Sequence, residues 1–336
     1  MTDASFLRRL LVVAAVVAVA ALAIQLANLL LLVFGGTLLA VAVRAGADGL
    51  CRLTRLPPRW GVAVVLAGVA AVLVGLFWLV GDRGGAQFQQ LTRGIPRALD
   101  AFESWLRQHA WGEFLVEQTS GLEGQGMGLF SQVGGLASSV LATTTDVVLI
   151  LVVTIFMALE PRLYADGLVA LFPPSARPRA REILDAVGRA LRDWLLAQGI
   201  SMLVIGAVTT VGLLLLDIPL ALALGVLALV LEFIPFVGPV LAAVPAILFA
   251  FTVSPATALW VALFYLGVQQ VEGNLLMPII QEKVVRLPPV LTVTAAVAMA
   301  ALFGFSGLVF ATPLVVALMV LVRMVYVEGV LGDRPG

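Results

Sequence analysis

Cysteine and histidine are nearly missing from this chain of 336 residues: Cys51 and His109 are the single representatives of each. One thiol excludes an intramolecular disulfide framework and any multi-cysteine metal site. His109 lies in a polar stretch, where a solvated surface histidine is the simple reading, so no apolar run holds an imidazole. That removes the general base an intramembrane serine protease needs, and the ligands of a hydrolytic metal centre. No glycine-rich loop is followed by Lys-Ser or Lys-Thr. The Gly-x-Gly within Gly121 to Gly128 has no strand before it and reads as a loop, so a phosphate cradle for ATP is not expected. Charge is scarce as well, at 12% of residues and a net of zero with the basic residues scattered, which gives no footprint for nucleic acid. The expectation is a protein that is not an enzyme and carries no cofactor. The most localised absence is of positive charge: from Asp193 to Glu282 there is no Lys or Arg, yet Glu232 and Glu272 stand inside that stretch.

What fills the chain is apolar. A hydrophobic share of 61% and a mean hydropathy of +1.09 lie outside the range of soluble domains and predict an all-α, polytopic integral membrane protein in contact with the lipid bilayer. About 20 helical residues cross the hydrocarbon core. Leu10 to Val43 is too long for one helix and is expected to turn at Gln25 to Asn28. Arg8 and Arg9 before an apolar run resemble a signal peptide, but the apolar character continues to Val43, which favours an uncleaved first span. The loop with Arg44, Arg52, Arg55 and Arg59 is expected in the cytoplasm, and with it both termini. Residues 1–80 thus form a set of N-terminal spans, the third from Trp60 to Val80. Residues 81–135 form an extracytoplasmic segment with an amphipathic helix whose apolar face is Ile95, Leu99, Phe102 and Leu106, suited to the membrane surface or to a neighbouring subunit. Residues 136–193 hold a fourth span and a cytoplasmic Arg-rich linker, with an amphipathic helix from Arg179 to about Asp193.

Residues 194–336 form the last unit. A fifth span from Trp194 to Leu216 exits at Asp217-Ile218-Pro219, read as a turn. Leu220 to Thr252 is interrupted by Glu232-Phe-Ile-Pro-Phe-Val-Gly-Pro239, where Pro235, Gly238 and Pro239 cannot continue a regular helix. The flanking pieces are short for full spans and suit a re-entrant hairpin whose tip is a site. A sixth span, Ser254 to Met277, carries Tyr265, Gln269 and Glu272 on one face, with Gln270 and Asn274 slightly displaced. The charge-free run Leu287 to Val322 must turn, with Gly304, Ser306 and Gly307 at its apex. The expected total is about six full spans plus two broken hairpins, eight spans by hydropathy. A full span plus an outside hairpin would then be repeated in inverted orientation, an arrangement used by transporters. Two pairs of short full spans would give the same charge bias.

An unpaired carboxylate at membrane depth is penalised by several kcal/mol, so it takes up a proton, a cation or hydrogen-bond donors. Glu272 reads as a proton or sodium site completed by Gln269 and Asn274, or else as a protonated packing residue. Glu232 reads as a pathway residue, or as a cap for backbone N–H groups at the break before Pro235.

Pro173-Pro174, Asp193-Trp194, Asp217-Ile218-Pro219, Glu232 to Pro239, Gln269-x-x-Glu272-Gly-Asn274-x-x-x-Pro278 and Leu287-Pro288-Pro289 together resemble the autoinducer-2 exporter family of bacterial membrane proteins. The resemblance covers essentially the whole chain and is strongest from Leu171 to Leu331. It implies an inner-membrane exporter of small polar solutes, autoinducer-2 or a related metabolite, coupled to a proton or sodium gradient. Na+(Li+)/H+ antiport is the alternative, and a non-transporting scaffold a third reading. It also implies a homo-oligomer, a pentamer, with an elevator-like mobile part.

Overall fold

A computed structural model describes residues 25–55, 57–79, 144–276 and 287–333, with isolated positions between 94 and 108. Among the described residues all regular structure is helical. Helix α1 (Ala27–Thr54) opens directly after Leu26, within the turn expected at Gln25 to Asn28; the residues before position 25 lie outside the described ones. It does not end at Val43. It runs on through Arg44, the turn-prone Asp48-Gly49 pair and Arg52 to Thr54, so these arginines project from a helix rather than a loop; no Pro interrupts it before Arg55 (φ 56) and the prolines beyond. Helix α2 (Pro58–Leu79) follows and packs back on α1, where Val43, Ala47 and Val62 share a small core with Ala158. Helix α3 (Thr144–Leu159) lies along α1, and the Thr154 hydroxyl donates to the Gly36 carbonyl at 3.2 Å. At Pro161 the chain bends by 90° into α4 (Pro161–Ala170).

Helix α5 (Arg177–Leu215) is a single rod of 39 residues, about 58 Å long. The amphipathic linker and the fifth span are therefore one element. The reason is visible in the stripe Leu191, Trp194, Gln198, Ser201 and Ile205, buried at spacings of three and four residues with no breaker between the charged and apolar halves. The rod ends at the turn expected around Asp217, where Asp217 (φ 52) and Leu220 (φ 64) take left-handed conformations on either side of Pro219. Helix α6 (Ala221–Leu231) returns antiparallel to α5: Gly206 faces Leu229, and further out Gly225 faces Thr210. Helix α7 (Val237–Val253) leaves again in the opposite direction. The break between them is narrower than Glu232 to Pro239. It covers Glu232 to Phe236 (φ 66), while Gly238 and Pro239 already belong to the first turn of α7, a position that tolerates Pro because the first N–H groups have no helical partner. Phe102 and Trp105, in the segment before α3, pack within the chain against Phe251 near the far end of α7, with ring centroids 5.0 and 5.5 Å away. The rest of that amphipathic face, His109, the glycine loop to 135, Pro278 and the loop 281–286 lie outside the described residues.

Helix α8 (Pro255–Val271) starts at Ser254, whose hydroxyl accepts the Thr257 N–H at 3.0 Å. It does not continue regularly to Met277: a π-helical turn occupies Glu272–Leu276. Helix α9 (Pro289–Leu321), extended by a π-helical turn at Val322–Val327, is broken at Gly304 (φ 62, ψ −142). It folds back there. In a straight helix Leu287 and Val316 would be about 44 Å apart, yet both pack in one cluster with Leu38, Leu191 and Trp194. Gly307 likewise touches the Met299 carbonyl, a residue that a straight helix would hold about 12 Å away along the axis.

Candidate functional site

Three helices converge on one buried polar spot. Helix α5 presents Gln198 and Ser201 on its buried stripe, α6 stops at Glu232, and α8 stops at Glu272. The Gln198 amide donates to the backbone carbonyl of Glu232 at 2.5 Å, which anchors the broken backbone at the tip. The Ser201 hydroxyl donates to Glu232 Oε1 at 3.3 Å. Glu232 Oε2 has no hydrogen-bond partner among the described residues, although Glu232 is only 1% exposed. Glu272, 6% exposed, receives the Gln269 amide on Oε2 at 2.8 Å. The two carboxyl groups are electrostatic neighbours. Their separation of 40 positions in sequence is closed by the α6–α7 hairpin and the return of α8 along α5, where Phe264 meets Gly212.

The depth of the pair follows from element length. Helix α6 has 11 residues and reaches about 16 Å, roughly half of a hydrocarbon core of about 30 Å. Glu232 stands at a helix break whose freed backbone is buried by protein, the condition under which such a break is tolerated in an apolar layer. No ion pair among the described residues reaches either glutamate. Nor do three or more His, Cys, Asp or Glu side chains gather among the described residues in a way that would hold a metal. The donors at hand are carboxyl, hydroxyl, amide and backbone carbonyl, a set that can exchange a proton or bind a hard monovalent cation through oxygen. A cavity of about 520 Å³ opens between α5 and α8, walled by apolar side chains such as Val204, Val208, Phe264 and Val271, with Glu272 as its charged member.

Among the residues singled out from sequence, Glu232, Glu272 and Gln269 are brought together. Gln270 and Asn274 are not: both are exposed, and the Asn274 amide donates to Gln270 Oε1 at 3.0 Å on another side of the helix. Pro235 lies within the break, and Gly238 sits against the Leu231 carbonyl, a contact that excludes a larger residue. Pro239 is buried in the first turn of α7. In the second hairpin Gly304 makes the break, Gly307 is buried at the fold-back and Ser306 is exposed. Sequence reasoning missed Gln198 and Ser201. Their signal was there, two polar side chains three apart just past the last arginine of an otherwise apolar run. Thr209 and Tyr265, both buried with hydroxyls that meet no partner among the described residues, add polar groups to the same bundle.

Broken helices around buried, cation-free carboxyls define a membrane protein with a polar site inside its helical bundle. The profile of the family described as "AI-2E family transporter" matches residues 10–326, and the chain belongs to that family. It is 26% identical over 248 residues to "Putative transport protein YueF" of Bacillus subtilis (strain 168), covering 73% of this chain and 66% of that one. It is 32% identical over 151 residues to "Putative transport protein YrrI" of the same organism, covering 45% and 43%. With "Putative transport protein MT0215" of Mycobacterium tuberculosis it shares 29% over 271 residues, covering 77% and 73%. The match thus spans just under two thirds of the first of these relatives. The chain is accordingly a multi-pass membrane protein of a transporter family.

Proposed function

We propose that this chain exports a small polar solute across the bacterial inner membrane, in exchange for protons or sodium bound at Glu232 and Glu272. The observation that carries the reading is the meeting of two carboxyls from two helix ends at membrane depth. Two ionised carboxylates side by side without a fixed cation are mutually repulsive, and the apolar surroundings penalise each of them. A shared proton, or a bound sodium ion, relieves the repulsion and leaves one net charge in place of two to be buried. Occupancy of the pair then changes its net charge, and with it the cost of moving the site through the apolar layer. Ser201, Gln198 and Gln269 hold the acceptors in place for either occupant. Residues 194–336 serve as the transport region, moving elevator-like in two inverted halves against a scaffold that includes residues 1–80, within a homo-oligomer. Autoinducer-2 is the solute named by the resemblance, and hydroxyl and amide groups suit such a polyhydroxylated compound.

The test is flux in proteoliposomes containing the purified protein, with autoinducer-2 as the probe solute and an imposed pH or sodium gradient. Gradient-dependent movement is expected. Flux that is indifferent to both gradients overturns the coupled reading. The adjacency of two exchangeable carboxyls also favours a second reading, Na+(Li+)/H+ antiport, which the same liposomes detect as sodium- or lithium-driven proton movement with no organic solute present.

A further inference from the structure

Beside the arginine-bearing half of α5 a second cavity, of about 430 Å³, lies between α1, α4 and α5. Its presence follows from the 90° bend at Pro161, which swings α4 across the ends of the other two helices. Arg44 from α1 and Arg189 and Arg192 from α5 line it, together with Asp48 and Asp185. Three other arginines are in ion pairs: Arg179 with Glu182 and Glu328, Arg181 with Asp166, and Arg323 with Glu328. The three lining the cavity are not in ion pairs among the described residues. Arg44 spends one N–H on the Ala158 carbonyl at 2.8 Å. Arg192 Nε is fully buried and meets no acceptor among the described residues. A buried guanidinium N–H without an acceptor is costly, and a guanidinium fork matches the paired oxygens of a carboxylate or a phosphate.

We propose that this cavity binds a phosphate-type oxyanion, with Arg44, Arg189 and Arg192 as donors, and that its source is the headgroup of an acidic phospholipid. Three guanidinium groups against two carboxylates leave the site net positive. The remaining wall is apolar, including Ala40, Val41, Leu168 and Leu184, which suits the glycerol and upper acyl region of an amphiphile rather than a fully hydrated ion. Arg192 is also the last cation before the stretch without Lys or Arg, so the donors stand where the charged and apolar halves of α5 meet. Basic pockets between helices at that level capture anionic headgroups. Tyr164 of α4, on the same wall, adds a hydroxyl within the cavity.

The full-length protein in detergent, titrated while its thermal unfolding and lipid adducts in native mass spectrometry are followed, tests this. The probes are dioctanoyl phosphatidylglycerol, dioctanoyl phosphatidylcholine and inorganic phosphate. Saturable stabilisation by phosphatidylglycerol is expected, weakened about fivefold by each of Arg189→Gln and Arg192→Gln and unchanged by Arg52→Gln at the exposed end of α1. Arg189 is exposed, so its variant folds even if Arg192→Gln does not. Equal saturation by inorganic phosphate with the same arginine dependence upholds the oxyanion site and replaces the lipid with a free anion. Equal binding of phosphatidylcholine and phosphatidylglycerol, or binding indifferent to Arg189→Gln, overturns the proposal.

Discussion

Glu232 and Glu272 are buried to a similar degree but supported differently, and this difference predicts how each responds to substitution. Glu272 has one amide donor and faces a cavity, whereas Glu232 has a hydroxyl on one oxygen, no hydroxyl or amide donor on the other among the described residues, and an amide on its own backbone carbonyl. Glu272→Gln is expected to keep the fold and to lower gradient-driven flux in proteoliposomes roughly tenfold or more, the scale of about 1.4 kcal/mol. Ser201→Ala is expected to cost about 1 kcal/mol of stability through the lost hydroxyl donor, read as a lower thermal midpoint. Two glycines separate crowding from backbone strain. A side chain at Gly225 collides with Thr210, so Gly225→Ala should lose about 1–3 kcal/mol by overpacking α5 against α6. At Gly304 no neighbour lies within 4 Å, but φ 62 with ψ −142 is a glycine conformation, so Gly304→Ala should lose a comparable amount, about 1–3 kcal/mol, through strain alone. Thr210→Ala removes the hydroxyl contact but leaves Cβ at 2.8 Å from the added methyl, so it rescues the first variant in part and the second not at all. The carboxyls themselves were legible in sequence because apolar surroundings isolate them. Their meeting was not, since no local pattern links positions 40 apart. Gln270, within the regular part of α8, and Asn274, past the change to π-type winding at Glu272, both stand apart from the face that carries Gln269 and Glu272, from which spacing in sequence sets them only slightly displaced.

Element boundaries divide along similar lines. Prolines and glycines announced the breaks at Glu232 to Phe236 and at Gly304, whereas charge was a poor guide to helix ends. Both α1 and α5 run straight through arginine-bearing stretches expected to be loop or linker, because Arg, Ala and Leu are good helix formers whatever their polarity. Where a helix does start at a designated residue, the cap matters: Ser254→Ala is expected to cost about 1 kcal/mol at the N-terminus of α8, measurable by chemical denaturation, with Ser254→Asp restoring it. The beginning of α5 is tied to the end of α9 by Arg179, which donates to the Met324 carbonyl at 2.8 Å and to Glu328 at 3.0 Å. Arg179 holds the Glu328 carboxyl below its ordinary value, with Arg323 adding to the effect, and the Arg179 guanidinium is raised in turn by Glu182 and Glu328. A carboxylate with a lowered folded-state value stabilises above its unfolded value and loses that contribution as pH falls through the folded one. The clasp should therefore hold at neutral pH and open on acidification below about pH 4. Fluorescence quenching between probes at Arg177 and Asp333 should fall in that window, and Glu328→Gln should remove the pH dependence.

For the whole molecule, the order of elements fixes which ends share a side. Because α6 and α7 form a fold-back, the turn at Asp217 and the cap at Ser254 lie at the same end of α5, and the clasp of Arg179 with Glu328 lies at the other. Cys51 is the single native cysteine, so a Cys51→Ala background permits unambiguous labelling. Cysteines at Asp217 and Ser254 are expected to react with a membrane-impermeant maleimide from one face of the membrane, and cysteines at Arg177 and Glu328 only from the other. A cysteine at Phe236, in the break and exposed, discriminates further: its labelling from the face that reaches Arg177 would replace the fold-back with two full crossings. Hydropathy made the class of the molecule plain, and the turn residues gave most of the path. What the sequence withheld is how far one rigid piece extends. Ser201, in contact with Glu232, is about 36 Å along α5 from Arg177, and nothing between them bends. Such a rod is a lever: a shift at the carboxyls of an ångström or two reappears outside the bilayer, where a single fluorophore can watch the buried site fill and empty.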